Sequence, residues 1–262
     1  MIKKVRHCRQ THLAPSPFAS LVFGTLSLML LLTGGARADS TTSNPVVIEL
    51  FTSQGCPGCP PADALLERMR SRDGILTLSW PIDYWDRLGW EDTLASPDNA
   101  VRQAAYNKRL GVAGVFTPEM VIDGLDWSKG NNFEMLETRL EEAAATKSDE
   151  ITTRLRRDNS TTVAATVSGT PGDSVYQVRV VWFSSDVTVD ISSGVNEGRS
   201  LHYTNVVRAS RLIGEWSGDT QRVFSASLPV GLDNEADHVA ILIQENYGHG
   251  PIVAAASIAL DQ

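Results

Sequence analysis

Apolar residues follow two different rhythms along this chain, and the change comes near residue 148. Val46-Val47-Ile48-Glu49-Leu50-Phe51 is a short, nearly continuous apolar run, the pattern of a strand buried on both faces. Pro60 to Arg70 then carries Leu65, Leu66 and Met69 on one helical face, with its prolines in the first turn, where a missing N–H costs nothing. The spacing predicts a second strand over 75–82 and a helix over 97–110 with Val101, Ala104, Ala105 and Leu110 facing inward. A third strand over 119–122 is stopped by the turn signal Asp123-Gly124. Phe133, Leu136 and Leu140, at i, i+3 and i+7, mark a last helix. Alternation of this kind implies a sheet covered by helices.

Beyond Lys147-Ser148-Asp149-Glu150 the helical period disappears. Stretches rich in Val, Thr and Ile at 151–157, 162–168, 176–183, 187–191, 201–213, 222–228, 239–244 and 252–260 read as strands, punctuated by Pro171-Gly172 and Ser193-Gly194. This part is expected to be an all-β antiparallel, sandwich-like domain. The organisation predicted is therefore an α/β domain over 44–148 followed by a β-sandwich-like domain over 150–262.

The first 38 residues have a different purpose. Lys3, Lys4, Arg6 and Arg9 form a basic start, 18–32 is apolar, and Ala36-Arg37-Ala38 has the small-x-small form that signal peptidase accepts. The 15 apolar residues, at 1.5 Å each, fall short of a ~30 Å hydrocarbon core. A cleaved signal peptide is expected, with export to the periplasm or beyond and no membrane anchor afterwards.

Cleavage changes the charge and cysteine content. The whole chain has 31 acidic and 23 basic side chains, net charge −8, and three cysteines. The leader removes Cys8 and five basic residues, leaving net charge −13 and only Cys56 and Cys59. An acidic chain of this kind is a poor partner for nucleic acid, whose phosphates select clustered Lys and Arg. Two cysteines three apart close too short a loop to act as a structural staple.

Cys56-Pro57-Gly58-Cys59 follows a buried strand and opens a helix. There the unpaired N–H groups and the helix dipole favour a thiolate, which lowers the pKa of the first sulfur below about 8.5. Cys56 is the expected nucleophile and Cys59 the resolving thiol of a thiol-disulfide exchange, with no organic cofactor required. A second element, Val115-Phe116-Thr117-Pro118-Glu119, puts a Thr-Pro immediately before a strand. In the order strand, Cys-x-x-Cys helix, strand, helix, Thr-Pro, strand, turn, helix, residues 45 to 146 resemble the thioredoxin superfamily. That resemblance implies a cis Pro118 beside the dithiol, and a Thr117 backbone that pairs with an extended protein substrate. Ordinary thioredoxins carry a Trp directly before the first cysteine and a buried Asp six residues before it, where this chain has Gly55 and Leu50. Glu49, one residue off and on the opposite face, is a candidate displaced proton carrier or a paired acid at a strand end. The words Glu49-Leu50-Phe51-Thr52-Ser53-Gln54-Gly55-Cys56, Cys59-Pro60-Pro61-Ala62-Asp63, and 84–90 with its two tryptophans further resemble a family of secreted bacterial proteins of unknown function.

Other residues are open to two readings. Asp63 reads as a surface acid favoured by the helix dipole. Trp85 and Trp90 lie on an insertion near the dithiol, suited to capturing a polypeptide or to packing against the second half. His202, Tyr203, Asn205 and Arg208 form a polar series explained by strand alternation, or the far wall of a cleft if that strand faces the dithiol. Two thiolates can also hold Cu(I), though the only histidines after the leader are His202, His238 and His249, so no local Cys-Cys-His site forms. The expectation is thiol-disulfide exchange on protein thiols or with a redox partner protein. The alternatives are Cu(I) delivery and a redox-sensing assembly module.

Overall fold

The computed structural model describes residues 44–170, 174–218, 220–232 and 234–260, so the expected leader and Pro171-Gly172 lie outside the described residues. Strand β1 (Val46–Thr52) leads to α1 (Pro60–Arg70), β2 (Ile75–Pro81), α2 (Pro97–Leu110), β3 (Glu119–Ile122), β4 (Asp126–Lys129) and α3 (Phe133–Thr146). Among the described residues that follow, all the elements but one short turn of 3-10 helix are strands: β5 (Ile151–Arg157), β6 (Thr162–Gly169), β7 (Tyr176–Asp190), β8 (Ser200–Trp216), β9 (Arg222–Ser227), β10 (His238–Gln244) and β11 (Ile252–Ala259).

These strands form two sheets, one of eight in the order β11-β10-β7-β8-β2-β1-β3-β4 and one of three in the order β5-β6-β9. In the larger sheet only β1 with β2 and β2 with β8 run parallel. The fold is mixed α/β, a large and mostly antiparallel sheet with a second sheet against it. The change of rhythm near residue 148 falls between α3 and β5, yet the large sheet continues across it, with Ser79 of β2 opposite Val206 of β8. One layer of the expected sandwich is thus an extension of the first half's own sheet. Left alone, β2 would present Leu76, Leu78 and Trp80 along an open edge, which is an aggregation hazard; β8 covers it.

Alternation along β1 sorts the core into two faces. Val47 and Phe51 join Leu78, Trp80, Val121, Leu242 and Tyr106 of α2 on one side. Ile48 and Leu50 join Leu65, Leu66 and Met69 of α1 and Leu136 and Leu140 of α3 on the other. Further along the sheet, Val180, Trp182, Val239 and Ile241 pack against Leu155, Val167 and Phe224 of the small sheet. Burying one such side chain contributes about 1.5–3 kcal/mol, so each cluster is a substantial share of the fold's stability.

Three expectations change. The stretches 176–183 and 187–191 are one strand, because the ladder with β8 runs unbroken from Tyr176 opposite Trp216 to Asp190 opposite Ser200, absorbing two bulges. Strand β4, too polar and short for a periodic signal, pairs with β3 through Val121 opposite Trp127. Helix α2 is turned relative to its apolar residues: Val101 is 66% exposed, Ala104 is exposed, Ala105 and Leu110 are half-buried, and Asn99, Arg102, Gln103, Tyr106 and Asn107 face inward. Buried polar groups are acceptable where they find partners, and each of these residues makes at least one hydrogen bond there. Phe133, at the first position of α3, is also exposed while Leu136 and Leu140 are buried.

Candidate functional site

At the end of β1 the chain turns through Ser53-Gln54-Gly55 into the dithiol. Cys59 caps α1 with helical φ and ψ of −78° and −37°, followed by Pro60. The backbone N–H groups of Ala62 and Asp63 donate to Cys59 O at 2.8 and 3.0 Å, so the helix starts within the motif. Cys56 and Cys59 are joined by a disulfide, with their Cα atoms 5.4 Å apart. The Thr117–Pro118 peptide is cis, as the resemblance implied. Pro118 Cδ lies 3.8 Å from the position a Cβ would take on Gly58. Gly130 wedges behind it, where a Cβ would stand 2.9 Å from Pro118 Cβ and 3.0 Å from Ala62 Cβ.

The polar face of α2 holds the Thr117-Pro118 loop. Gln103 Nε2 donates to Phe116 O at 2.7 Å and to Glu119 Oε2 at 2.6 Å, and Asn107 Nδ2 donates to Gly114 O at 2.8 Å. Trp85 Nε1 donates to Thr117 Oγ1 at 2.8 Å, and Trp85 Cβ lies close against Gly55. Trp85 therefore stands between the two motifs. Beside it opens a cleft of about 410 Å³ lined by Tyr84, Trp85, Arg87, Leu88, Phe116 and Thr117. Trp90 is placed differently: its Nε1 donates to Gln54 Oε1 at 2.7 Å, and it packs against the second half with Ile191 and Leu201.

Both sulfur-bearing residues are covered. Cys56 is 1% exposed and Cys59 0%, whereas Pro57 and Gly58 between them are exposed. The loop between β7 and β8 is tied to the backbone around the motif. Asn196 Nδ2 donates to Gln54 O at 2.8 Å and to Cys56 O at 3.0 Å, Arg199 Nη1 donates to Asn196 Oδ1 at 2.9 Å, and Ser193 Oγ donates to Gly89 O at 2.7 Å. Gly194, at φ +78°, lets this loop lie close over Trp90. Asn196 carried no signal of its own in the sequence, being one polar residue in a turn.

Asp63 is not a surface acid. It is 6% exposed, and burial pushes its carboxyl up to about 8, opposed by the Thr52 hydroxyl beside it and reinforced by Asp92. Asp92 is itself raised to about 6 by burial, although its carboxylate accepts from the backbone N–H groups of Gln54 at 2.7 Å and Leu94 at 2.9 Å. Tyr203 reaches the same place from β8, and its hydroxyl is held up first by burial and then by Asp63 and Asp92. Among the described residues, Asp63 Oδ1, Thr52 Oγ1 and Tyr203 Oη have no hydrogen-bond partner. The rest of the polar series on β8 points elsewhere: Asn205 binds Thr77, Arg208 pairs with Glu235, and His202 lies near Asp186 and Thr188.

Glu49 is the paired acid. It faces α2, away from α1, and its carboxylate accepts from Arg102 Nε at 2.8 Å, from Arg102 Nη2 at 3.0 Å and from the Tyr106 hydroxyl. Gln244 closes the group, accepting from Arg102 Nη2 at 3.1 Å and donating to Tyr106 Oη at 2.6 Å. That placement makes Glu49 a buried, paired acid on the α2 side of β1. Among the described residues no group of three or more His, Cys, Asp or Glu is gathered as a metal site.

This mixed α/β fold, with a covered disulfide at a helix start beside a cis Thr-Pro, defines a class with known relatives. The chain belongs to the family described as Protein of unknown function (DUF1223), matched over residues 47–244. It is similar to a crystallographically solved protein of Agrobacterium tumefaciens, at 29% identity and TM-score 0.71, covering 83% of this chain and 95% of that one. HBP35 of Porphyromonas gingivalis shares the fold alone, at 15% identity and TM-score 0.56 over 85% of this chain and 77% of its own. A comparison with curated proteins finds no match.

Proposed function

We propose that the protein is an exported thiol-disulfide oxidoreductase whose first half is thioredoxin-like. Cys56 is the sulfur that exchanges with a protein thiol or disulfide, and Cys59 closes the internal bond. The observation that carries this reading is the Cys56–Cys59 disulfide at the start of α1 with the cis Thr117-Pro118 segment beside it. The cleft lined by Trp85, Leu88, Phe116 and Thr117 gives an extended polypeptide a surface that begins at the cis Thr117-Pro118 segment. Substrate reaches Cys56 only when the Asn196 contacts give way, and two hydrogen bonds at about 1 kcal/mol each set a modest cost for that opening. The predicted leader accounts for export.

Trapping tests the reading. With Cys59→Ser, a substrate attached through Cys56 has no internal thiol to displace it, so thiol-sensitive mixed disulfides are expected to accumulate and to vanish when Cys56 is also replaced. Absence of any Cys56 adduct, in cells or with glutathione disulfide added to the reduced protein, would remove the proposal.

A further inference from the structure

The dithiol lies on the α1 side of the sheet, and so does one carboxyl with unmet hydrogen-bonding capacity. Cys59 and Asp63 are one helical turn apart, and the Asp63 N–H to Cys59 O bond of 3.0 Å shows that this turn is formed. Residues at i and i+4 have Cβ atoms about 5–6 Å apart, and helical side chains lean toward the N-terminus, so the Asp63 carboxyl leans toward Cys59. Both residues are buried, so the proton of Cys59 has no ready exchange with bulk water. Thr52 from β1, Asp92 from the 83–95 segment, and Tyr203 from β8 with Arg199 near it complete the surroundings of Asp63. Asp63 Oδ1 and Tyr203 Oη remain unpartnered among the described residues. Glu49, by contrast, has both of its carboxylate oxygens bonded.

We infer that Asp63 is the proton-transfer group of Cys59, giving a proton to its sulfur when the internal disulfide opens and taking it back when the disulfide closes. The inference rests on the exchange reading above. Starting from the disulfide form, a substrate thiolate attacks Cys56 Sγ and the bond to Cys59 breaks. Cys59 Sγ leaves with the bonding electron pair and takes the proton from the Asp63 carboxyl, so the charge moves to the carboxylate. A second substrate thiolate then attacks the substrate sulfur of the mixed disulfide, releasing Cys56 as a thiolate. Two electrons have passed from two substrate thiols to the protein disulfide. In reverse, the Asp63 carboxylate removes the Cys59 proton and the thiolate displaces substrate from Cys56. Burial lifts the Asp63 carboxyl out of the ordinary carboxylate range to about 8, toward the range in which thiols titrate, the direction that lets it exchange a proton with a sulfur.

The test follows the resolving step from pH 5 to 9 with glutathione as the probe. The reduced protein is mixed with glutathione disulfide, and release of glutathione from the Cys56 adduct is timed by quenching and mass measurement. Asp63→Asn is expected to slow release roughly 100-fold at pH 7, and to make the rate rise about tenfold per pH unit with hydroxide. Asp63→Glu should restore part of the rate and the flatter wild-type profile. First-step attack, measured in Cys59→Ser with and without Asp63→Asn, should be the same in both. Wild-type release and pH profile in Asp63→Asn would overturn the role of Asp63 while leaving exchange intact. Failure of the wild-type protein to form any Cys56 adduct would instead overturn the exchange reading. If Asp63→Asn does not fold, the Asp63 carboxyl is titrated by NMR in oxidised and reduced wild-type protein. Its titration should differ between the two states, and identical curves would remove the coupling to Cys59.

Discussion

The two faces of β1 carry two buried carboxylates with opposite surroundings. Glu49, facing α2, is bonded on both oxygens within a closed set of Arg102, Tyr106 and Gln244. Asp63, on the α1 side, keeps an unpartnered oxygen and sits with Asp92 and Tyr203 in place of a cation. A closed network holds its members in one geometry, because their hydrogen-bonding groups already have partners. An open one has somewhere for a proton to go. The comparison separates a buried acid that holds two halves of a sheet together from one suited to chemistry.

The largest way to break that comparison is to open the closed side. Arg102→Met leaves Glu49 as an unpaired buried charge, and a loss of about 3–5 kcal/mol is expected in urea unfolding. Replacing both, Glu49→Gln with Arg102→Met, should recover most of it, since the cost comes from the orphaned charge and not from the loss of attraction.

Asp63 predicts the opposite sign. Its folded value near 8 is above the unfolded value near 3.9, so between those limits the folded protein holds a proton that the unfolded chain has released. Stability of the disulfide form therefore falls as pH rises from about 4 to 8, by up to about 1.4 kcal/mol per pH unit from this group. Asp92, raised to about 6, adds to the fall between about 4 and 6. In Asp63→Asn the decline between pH 6 and 8 should flatten, and a retained slope in melting experiments would show that Asp63 is not its source.

Smaller effects sharpen the picture around the cover. Asn196→Ala removes two hydrogen bonds to the backbone flanking Cys56, worth about 1 kcal/mol each. The disulfide should then be reduced by dithiothreitol several-fold faster, with little change in the fold by circular dichroism. Trp85→Phe removes only the bond to Thr117, at about 0.5–1.5 kcal/mol, and should weaken polypeptide exchange more than exchange with glutathione.

Much of this was legible in the residues. Apolar period located α1 and most of the strands because in those elements a regular apolar face meets the core, whereas β4 gave no periodic signal and β7 read as two strands. The dithiol and Thr117-Pro118 were legible because their chemistry is local. Helix α2 was misread because its inward face is polar, and the partners that make such a face stable lie on β1, β10 and the 114–119 loop. Asp63 looked like a surface acid because helix-dipole logic concerns the exposed first turn, while it is buried, with Tyr203, on a strand 140 residues later, near enough to feel its charge. Asn196 belongs to the same category, bonding a carbonyl 140 positions before it.

The pairing of β2 with β8 also sets an order of events during synthesis. Ser79 must wait for Val206, 127 positions later, before its strand is flanked on both sides. Cys56 and Cys59 must likewise wait for Asn196 before they are covered. Contacts this distant in sequence form late and slowly. The cysteine pair therefore spends its early life uncovered, in reach of any oxidant that meets the emerging chain, and is shut in only when the last third of the protein arrives. Whichever redox state it has at that moment is the one from which the finished molecule starts its exchange.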